Sequence, residues 1–295
     1  MKRGRRPASQ LLTNSDAPSL DELVENRPAD LDVALFAGSV AGFDILSAIG
    51  LCPDVMVGHS VGEMAALAAA RAFTVSDATE LVCTRAEVLR HCSVPAGGMV
   101  AVAMGRRRAE SVVNVIDEPG LAVAVDNGPE QSVISGPTPL LSDVERIANA
   151  AGVRATRLRA AFPFHNPLLR EAADAMVART ASLTMREPVV PVFSPILGRY
   201  VRSADDVRLW VERHLLAPVM FYGGLLQVHR DGVRRFVEVG ARGALTQLVE
   251  SCLPRDVTAV APFRRPCPLP RLRKVLAHAD LVQADPAPVD RAVAS

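Results

Sequence analysis

Two residue types far apart in this chain could together do nucleophilic chemistry on a carbonyl carbon. Gly58-His59-Ser60-Val61-Gly62 places a serine between two glycines, the G-x-S-x-G pattern of a nucleophile elbow. The pattern is steric in origin. A tight turn lifts Oγ clear of the backbone, and the glycines let strand and helix approach without Cβ clashes. The helix that follows aims its free N–H groups at developing negative charge. A serine hydroxyl is hardly ionised at neutral pH and needs a base. His165 fits, because imidazole titrates near neutrality and can hand the proton to a leaving group, and Phe162 and Phe164 beside it could pack its ring and keep water away. Each has a plainer explanation: a chance Gly-Ser-Gly turn for the first, a hydrogen-bonded loop histidine for the second.

The elements around these residues favour the chemical reading. Asp54–Gly58 is a short apolar run of the buried-strand kind, and Ser60–Phe73 is rich in the helix formers Ala, Leu and Met. Strand, sharp turn and helix therefore follow one another at Ser60. Ahead of them Asp32–Ile49 is apolar at helical spacing and stops at Gly50, and behind them a helix is expected over Val75–His91 with Ser76 as its cap. Then the rhythm changes. Strand at Met99–Met104, helix at Arg106–Ile116, strands at Leu121–Asp126 and Gln131–Ser135, helix at Pro139–Ala151 and strand at Val153–Leu158 make a β-α-β-β-α-β order, the ferredoxin-like signature. Larger-domain elements resume with helices near Leu168–Leu183, Ala204–Leu216 and Gly243–Leu253, and strands near Val189–Phe193, Arg235–Val239 and Thr258–Pro262. The expected architecture is α/β: an α/β-hydrolase-like large domain with a parallel sheet (31–95 and 162–263), carrying a ferredoxin-like subdomain (96–161). Residues 1–30 read as a mobile lead-in and 264–295 as an irregular tail with one short helix.

Composition narrows the class. Among 295 residues, 33 basic side chains meet 32 acidic ones, so no basic excess points to nucleic acid. Nearly all the basic residues are arginine. The five cysteines form no CxxC pair and no metal-ligand spacing with the six histidines, which predicts reduced thiols, no metal and a cytoplasmic protein. The basic start Met1–Arg6 is followed by polar residues instead of an apolar signal core. Leu31–Leu51 contains Asp32 and Asp44 and reads as a buried helix, with no membrane span.

A family resemblance then becomes specific. Gly58-His59-Ser60-Val61-Gly62-Glu63 resembles the G-H-S-x-G-E motif of malonyl-CoA:acyl-carrier-protein transacylases and polyketide-synthase acyltransferase domains. Asn127–Gly136 resembles that family's N-x-P-x-Q-x-V-I-x-G hairpin, Pro163–Leu169 its P-F-H-S-x-L-M segment, and Glu238-Val239-Gly240 its late E-V-G-P-G turn with Ala241 in place of proline. The resemblance implies Ser60 as nucleophile, His165 as base and the Val61 N–H in the oxyanion hole. It implies a backbone carbonyl orienting His165, placed at Met220 within Pro218–Phe221. Arg85, 25 residues after Ser60, stands where the family grips a substrate carboxylate. On its own, a helix shared with Glu80 and Glu87 would equally allow a solvated residue or surface ion pair. His59, Phe164 and Asn127 are expected to line the same pocket. The implied reaction moves an acyl group, malonyl by preference, from a coenzyme A thioester to the phosphopantetheine thiol of an acyl carrier protein. No cofactor is bound in it.

One departure stands out. The family's first strand and its Gly-Gln-Gly-Ser-Gln loop, which supplies half of the oxyanion hole, has no counterpart. Gln10 lies only 50 residues before Ser60, too close for that loop. Two other functions therefore stay open: a serine hydrolase of esters or carrier thioesters, with Asp205 or Asp206 and then His229 in the usual hydrolase order, and a degenerate relative that binds the carrier without turnover.

Overall fold

The structure is a computed structural model that describes residues 16–19, 22–23, 27–265 and 267–282. Most of the expected lead-in 1–30 and the end of the tail lie outside the described residues. The first long element, α1 (Pro28–Ala48), starts earlier than the apolar pattern places it, with proline in its first turn, where the missing N–H costs nothing. Gly50 closes it at φ 101°. The stretch Asp30–Ala48 is long and apolar enough to cross a bilayer by length and composition. It packs against the two helices that follow, and Phe36 and Leu46 are buried.

After it come β1 (Met56–Val57), α2 (Val61–Ala69) and α3 (Val75–His91). Thr74, not Ser76, caps α3 by accepting from the Asp77 N–H. Asp77 in the first turn and Arg90 and His91 in the last suit the helix dipole. Next comes a unit of β2 (Gly97–Val102), α4 (Arg106–Ile116), β3 (Ala122–Gly128), β4 (Gln131–Pro137), α5 (Thr138–Ala150) and β5 (Ala155–Arg157). Its four strands are ordered β3-β4-β2-β5, all antiparallel, with a core of Val100, Val102, Ile134, Leu141 and Val144 under the two helices.

The chain then returns through α6 (Arg170–Thr180), β6 (Val192–Ser194), β7 (Arg199–Val201), α7 (Ala204–Arg213), α8 (Phe221–Arg230), β8 (Arg235–Val237), α9 (Ala244–Cys252), β9 (Thr258–Val260) and α10 (Leu269–His278). The large-domain sheet is neither single nor wholly parallel. β1 pairs parallel with β6, and β6 antiparallel with β7, while β8 and β9 form a separate parallel pair. Between β1 and β8 lies a cleft of about 880 Å³, lined by Met56, Val57, Ala65 and Phe221 on one side and Phe236 and Val237 on the other. The cleft divides the expected parallel sheet in two, and among the described residues no strand runs along it. The core beneath the elbow is built on Trp210, Phe221, Met64, Leu67, Leu81 and Met176.

Candidate active site

Ser60 ends the short run from β1 and opens α2 with φ 53° and ψ −116°. That positive φ is costly for a residue with a Cβ, and such strain persists where surrounding packing fixes it. Gly58 makes the turn possible, since a Cβ there would stand 2.3 Å from the backbone of Glu63. The next amides are committed: Gly62 N–H donates to His59 O and Glu63 N–H to Ser60 O. The Val61 N–H, at the front of α2, has no backbone acceptor among the described residues.

His165 reaches this turn from a loop that the fold pins at several points. Its own φ is 57°. The buried Asn166 side chain beside it donates to Gly120 O and Ser135 O and accepts from the Leu168 N–H. The imidazole Nε2 lies 2.7 Å from Ser60 Oγ, and Nδ1 lies 3.0 Å from Ala217 O. A carbonyl can only accept, so Nδ1 carries the proton and Nε2 is left to take one from the hydroxyl. The orienting carbonyl is therefore that of Ala217, upstream of the expected Met220. The carbonyl of Met220 instead accepts from the Gly224 N–H in the first turn of α8.

Burial, and next the charge of Arg85, lower the His165 pKa from 6.5 to about 3, against the stabilising bond to Ala217. The resting base is neutral. His214, buried 6.2 Å away and packed at a tilt against Trp210 at 4.7 Å, is held well below its ordinary value by burial and by the same guanidinium. Nothing in the sequence patterns marked it.

The expected pocket residues fall into two groups. Arg85 on α3 is buried, and the ring of Phe164 lies 4.6 Å from its guanidinium carbon. Its Nη1 donates to Asp32 Oδ2 on α1, a partner that no motif marked. On the other side, His59 Nε2–H donates to Asn127 Oδ1 at 2.8 Å, and Asn127 Nδ2 to Gln131 Oε1 at 3.0 Å. The His59 ring packs edge-on to Phe221 at 5.0 Å. This chain of contacts ties the elbow to the β3–β4 hairpin. Burial lowers the His59 pKa, the bond to Asn127 opposing it.

Beneath the elbow, the fully buried Glu63 carboxyl joins α2 to the β6–β7 turn and to α7. Oε2 accepts from Trp210 Nε1–H at 2.8 Å and from the Ser194 hydroxyl, and Oε1 from the Ile196 N–H at 3.2 Å. Burial raises its pKa from 4.5 to about 8, those three bonds pulling the other way. The alternative hydrolase order is not assembled. His229 lies 3.8 Å from Asp256, Asp205 pairs with Arg208 and Asp206 with Arg199. Among the described residues no three or more His, Cys, Asp or Glu are grouped so as to hold a metal ion.

A family model described as "Acyl transferase domain" matches residues 8–285. The phenolphthiocerol synthesis polyketide synthase type I Pks15/1 of Mycobacterium marinum is 35% identical over 263 residues, covering 87% of this chain and 12% of its own. Polyketide synthase GfsA of Streptomyces halstedii is 34% identical over 253 residues, covering 84% of this chain and 3% of its own. The chain thus spans a small part of these curated relatives. Among solved structures, the acyltransferase domain from the second module of the salinomycin polyketide synthase superposes with a TM-score of 0.81 at 30% identity. It covers 96% of this chain and 65% of its own. The malonyl CoA-acyl carrier protein transacylase (fabD) of Coxiella burnetii gives 0.78 at 26% identity, covering 89% and 84%.

Proposed function

Because the chain belongs to the acyl transferase domain family, we propose that it moves an acyl group from coenzyme A to the phosphopantetheine thiol of an acyl carrier protein through an ester on Ser60. The observation that carries this reading is the 2.7 Å contact between Ser60 Oγ and the Nε2 of an imidazole whose Nδ1–H is already committed to Ala217 O.

In the first half-reaction Nε2 takes the hydroxyl proton as Oγ bonds to the thioester carbon, and the Val61 N–H faces the oxygen that gains the charge. As the tetrahedral adduct collapses, the carbon–sulfur bond breaks and the imidazolium returns its proton to the leaving thiolate. The second half-reaction reverses these steps with the carrier thiol as nucleophile, and Ser60 is regenerated. A neutral resting imidazole suits both halves. Neither step calls for a bound cofactor or a metal. Arg85 on the site wall would meet the free carboxylate of a dicarboxylic acyl group such as malonyl, since a planar guanidinium binds a carboxylate in two places.

The antiparallel unit of β2 to β5, with its strand order and two helices on one core, supports a ferredoxin-like subdomain over 96–161, set into a large domain of 31–95 and 162–263. The five cysteines, all unpaired, support the cytoplasm as its location.

One observation favours a second reading, that of a carrier-binding relative with weak turnover. Among the described residues the elbow strand β1, beside the cleft, pairs with β6 alone, and the Val61 N–H is the one oxyanion donor assigned. One experiment separates the readings. The protein is charged with acyl-CoA, then given a thiol-bearing carrier. Transfer requires the added mass to leave the chain and appear on the carrier in equal amount. Steady loss of thioester to water without carrier would move the assignment to a hydrolase, and carrier binding with no added mass would move it to the carrier-binding relative.

A further inference from the structure

Arg85 stands in the site already matched to a carboxylate of the protein itself. Its Nη1 donates to Asp32 Oδ2, with the two side chains 3% and 17% exposed. Asp32 lies near the start of α1, so its carboxylate rides on a long helix packed against α2 and α3. One face of the guanidinium is covered by Phe164. Its buried Nε has no acceptor among the described residues, so a donor remains there that Asp32 does not use. Phe164, which covers that face, immediately precedes His165 in the chain, so the ion pair lies close to the proposed base.

We propose that Asp32 is a specificity-determining residue: a resident carboxylate that occupies Arg85 and must be displaced before the carboxylate of an acyl substrate can pair there. This rests on the reading of Arg85 as the carboxylate-binding cation.

A second carboxylate brought to Arg85 without displacement would stand beside the like charge of Asp32, which is strongly unfavourable where the guanidinium is buried. A dicarboxylic acyl group therefore binds to the fraction of molecules in which Asp32 has released the guanidinium, and its apparent affinity falls by that fraction. An uncharged acyl group meets no such competition. Asp32 thus lowers the preference for carboxylated acyl groups that Arg85 alone would give, because selectivity is a difference between two affinities.

Acylation by malonyl-CoA and by acetyl-CoA, followed by protein mass over a concentration series, tests this in the parent, Asp32→Asn, Arg85→Ala and the double variant. Asparagine keeps the shape but loses the charge that strengthens the bond to the guanidinium. The malonyl-to-acetyl ratio of kcat/KM should therefore rise by about tenfold or more, chiefly through a lower KM for malonyl-CoA. In the Arg85→Ala background the same change should leave the ratio where it was. Thermal melts establish that the variants fold, and Asp32→Ser, smaller and also neutral, must shift the ratio the same way. An unchanged ratio in both, with Arg85→Ala still abolishing the malonyl preference, would overturn the proposal and leave the role of Arg85 standing. A lowered ratio would overturn it too, since Asp32 would then be holding Arg85 in place for the substrate. Equal losses for both thioesters in Arg85→Ala would remove the underlying reading of Arg85 instead, and the proposal with it.

Discussion

Glu63→Gln looks conservative, yet the structure predicts that it is costly. Each carboxyl oxygen faces a donor that cannot turn away: Oε1 the Ile196 N–H and Oε2 the Trp210 Nε1–H. An amide has one oxygen, so in either orientation its NH₂ group confronts an N–H. The Glu63 side chain is fully buried, so water cannot make up the loss. Leaving one such donor unsatisfied costs about 1–3 kcal/mol. For a chain of this size each kcal/mol lowers Tm by roughly 2–4 °C, so a fall of about 2–12 °C is expected. Glu63→Ala orphans both donors and leaves a cavity, and should fall further. The pH dependence sharpens the test. The native pKa of about 8 lies above the ordinary 4.5, so the native state holds a proton that the unfolded chain has released. The stability this gives is fully present below 4.5 and is lost as pH rises through 8. Glutamine cannot titrate, so the gap between parent and variant should narrow between about pH 5 and about pH 8. Calorimetric melts across that range measure it. A Glu63→Gln variant that melts with the parent at every pH would refute the reasoning, because the two fixed donors would then have no bearing on stability.

Other outcomes follow from the site. With His165 neutral above about 3, kcat/KM for acylation should stay flat between about pH 8 and about pH 5. A loss centred near the ordinary imidazole value of about 6.5 would show that the ring is not desolvated. His59, His165 and His214 are all held below their ordinary value of 6.5, whereas the unfolded chain protonates them near it, so stability should decline below that pH. The slope can reach about 4 kcal/mol per pH unit for three protons, and acid titration of the melting temperature would reveal its absence. His165→Ala should slow acylation and transfer alike while His229→Ala leaves both intact, and the reverse pattern would restore the hydrolase order. Fusing a strand that ends in a Gly-Gln-Gly-Ser-Gln loop ahead of the chain should fill the cleft beside β1 and supply a second oxyanion donor. Acylation should rise by on the order of a hundredfold, and no gain would mean that the cleft does not limit the rate.

What the sequence revealed, and what it hid, follows from how local each signal is. Ser60, Val61 and Gly58 lie on one turn, whose glycines and flanking apolar runs are visible as a pattern. His165 is legible through the resemblance of Pro163–Leu169 to the family's histidine segment. Asp32 is not, because an acid in an apolar helix carries no mark of the guanidinium it meets 53 residues on. The carbonyl that orients His165 lies at Ala217 and not at the expected Met220, because its position depends on where α8 begins, which the residue pattern does not mark. Glu63 was visible as part of a motif, but its role comes from Trp210, Ser194 and Ile196, which packing alone brings to it. The two-stranded β8–β9 pair and the cleft beside it likewise arise from how the layers meet, which residue spacing does not encode.

The central claim is an ester on Ser60, and intact-mass analysis after mixing the protein with a panel of acyl-CoAs tests it most directly. The parent should gain the mass of one acyl group, lost again on addition of carrier thiol, while folded Ser60→Ala gains none. An acyl adduct that persists in Ser60→Ala would contradict the account, since the acyl group would then be carried by some other residue.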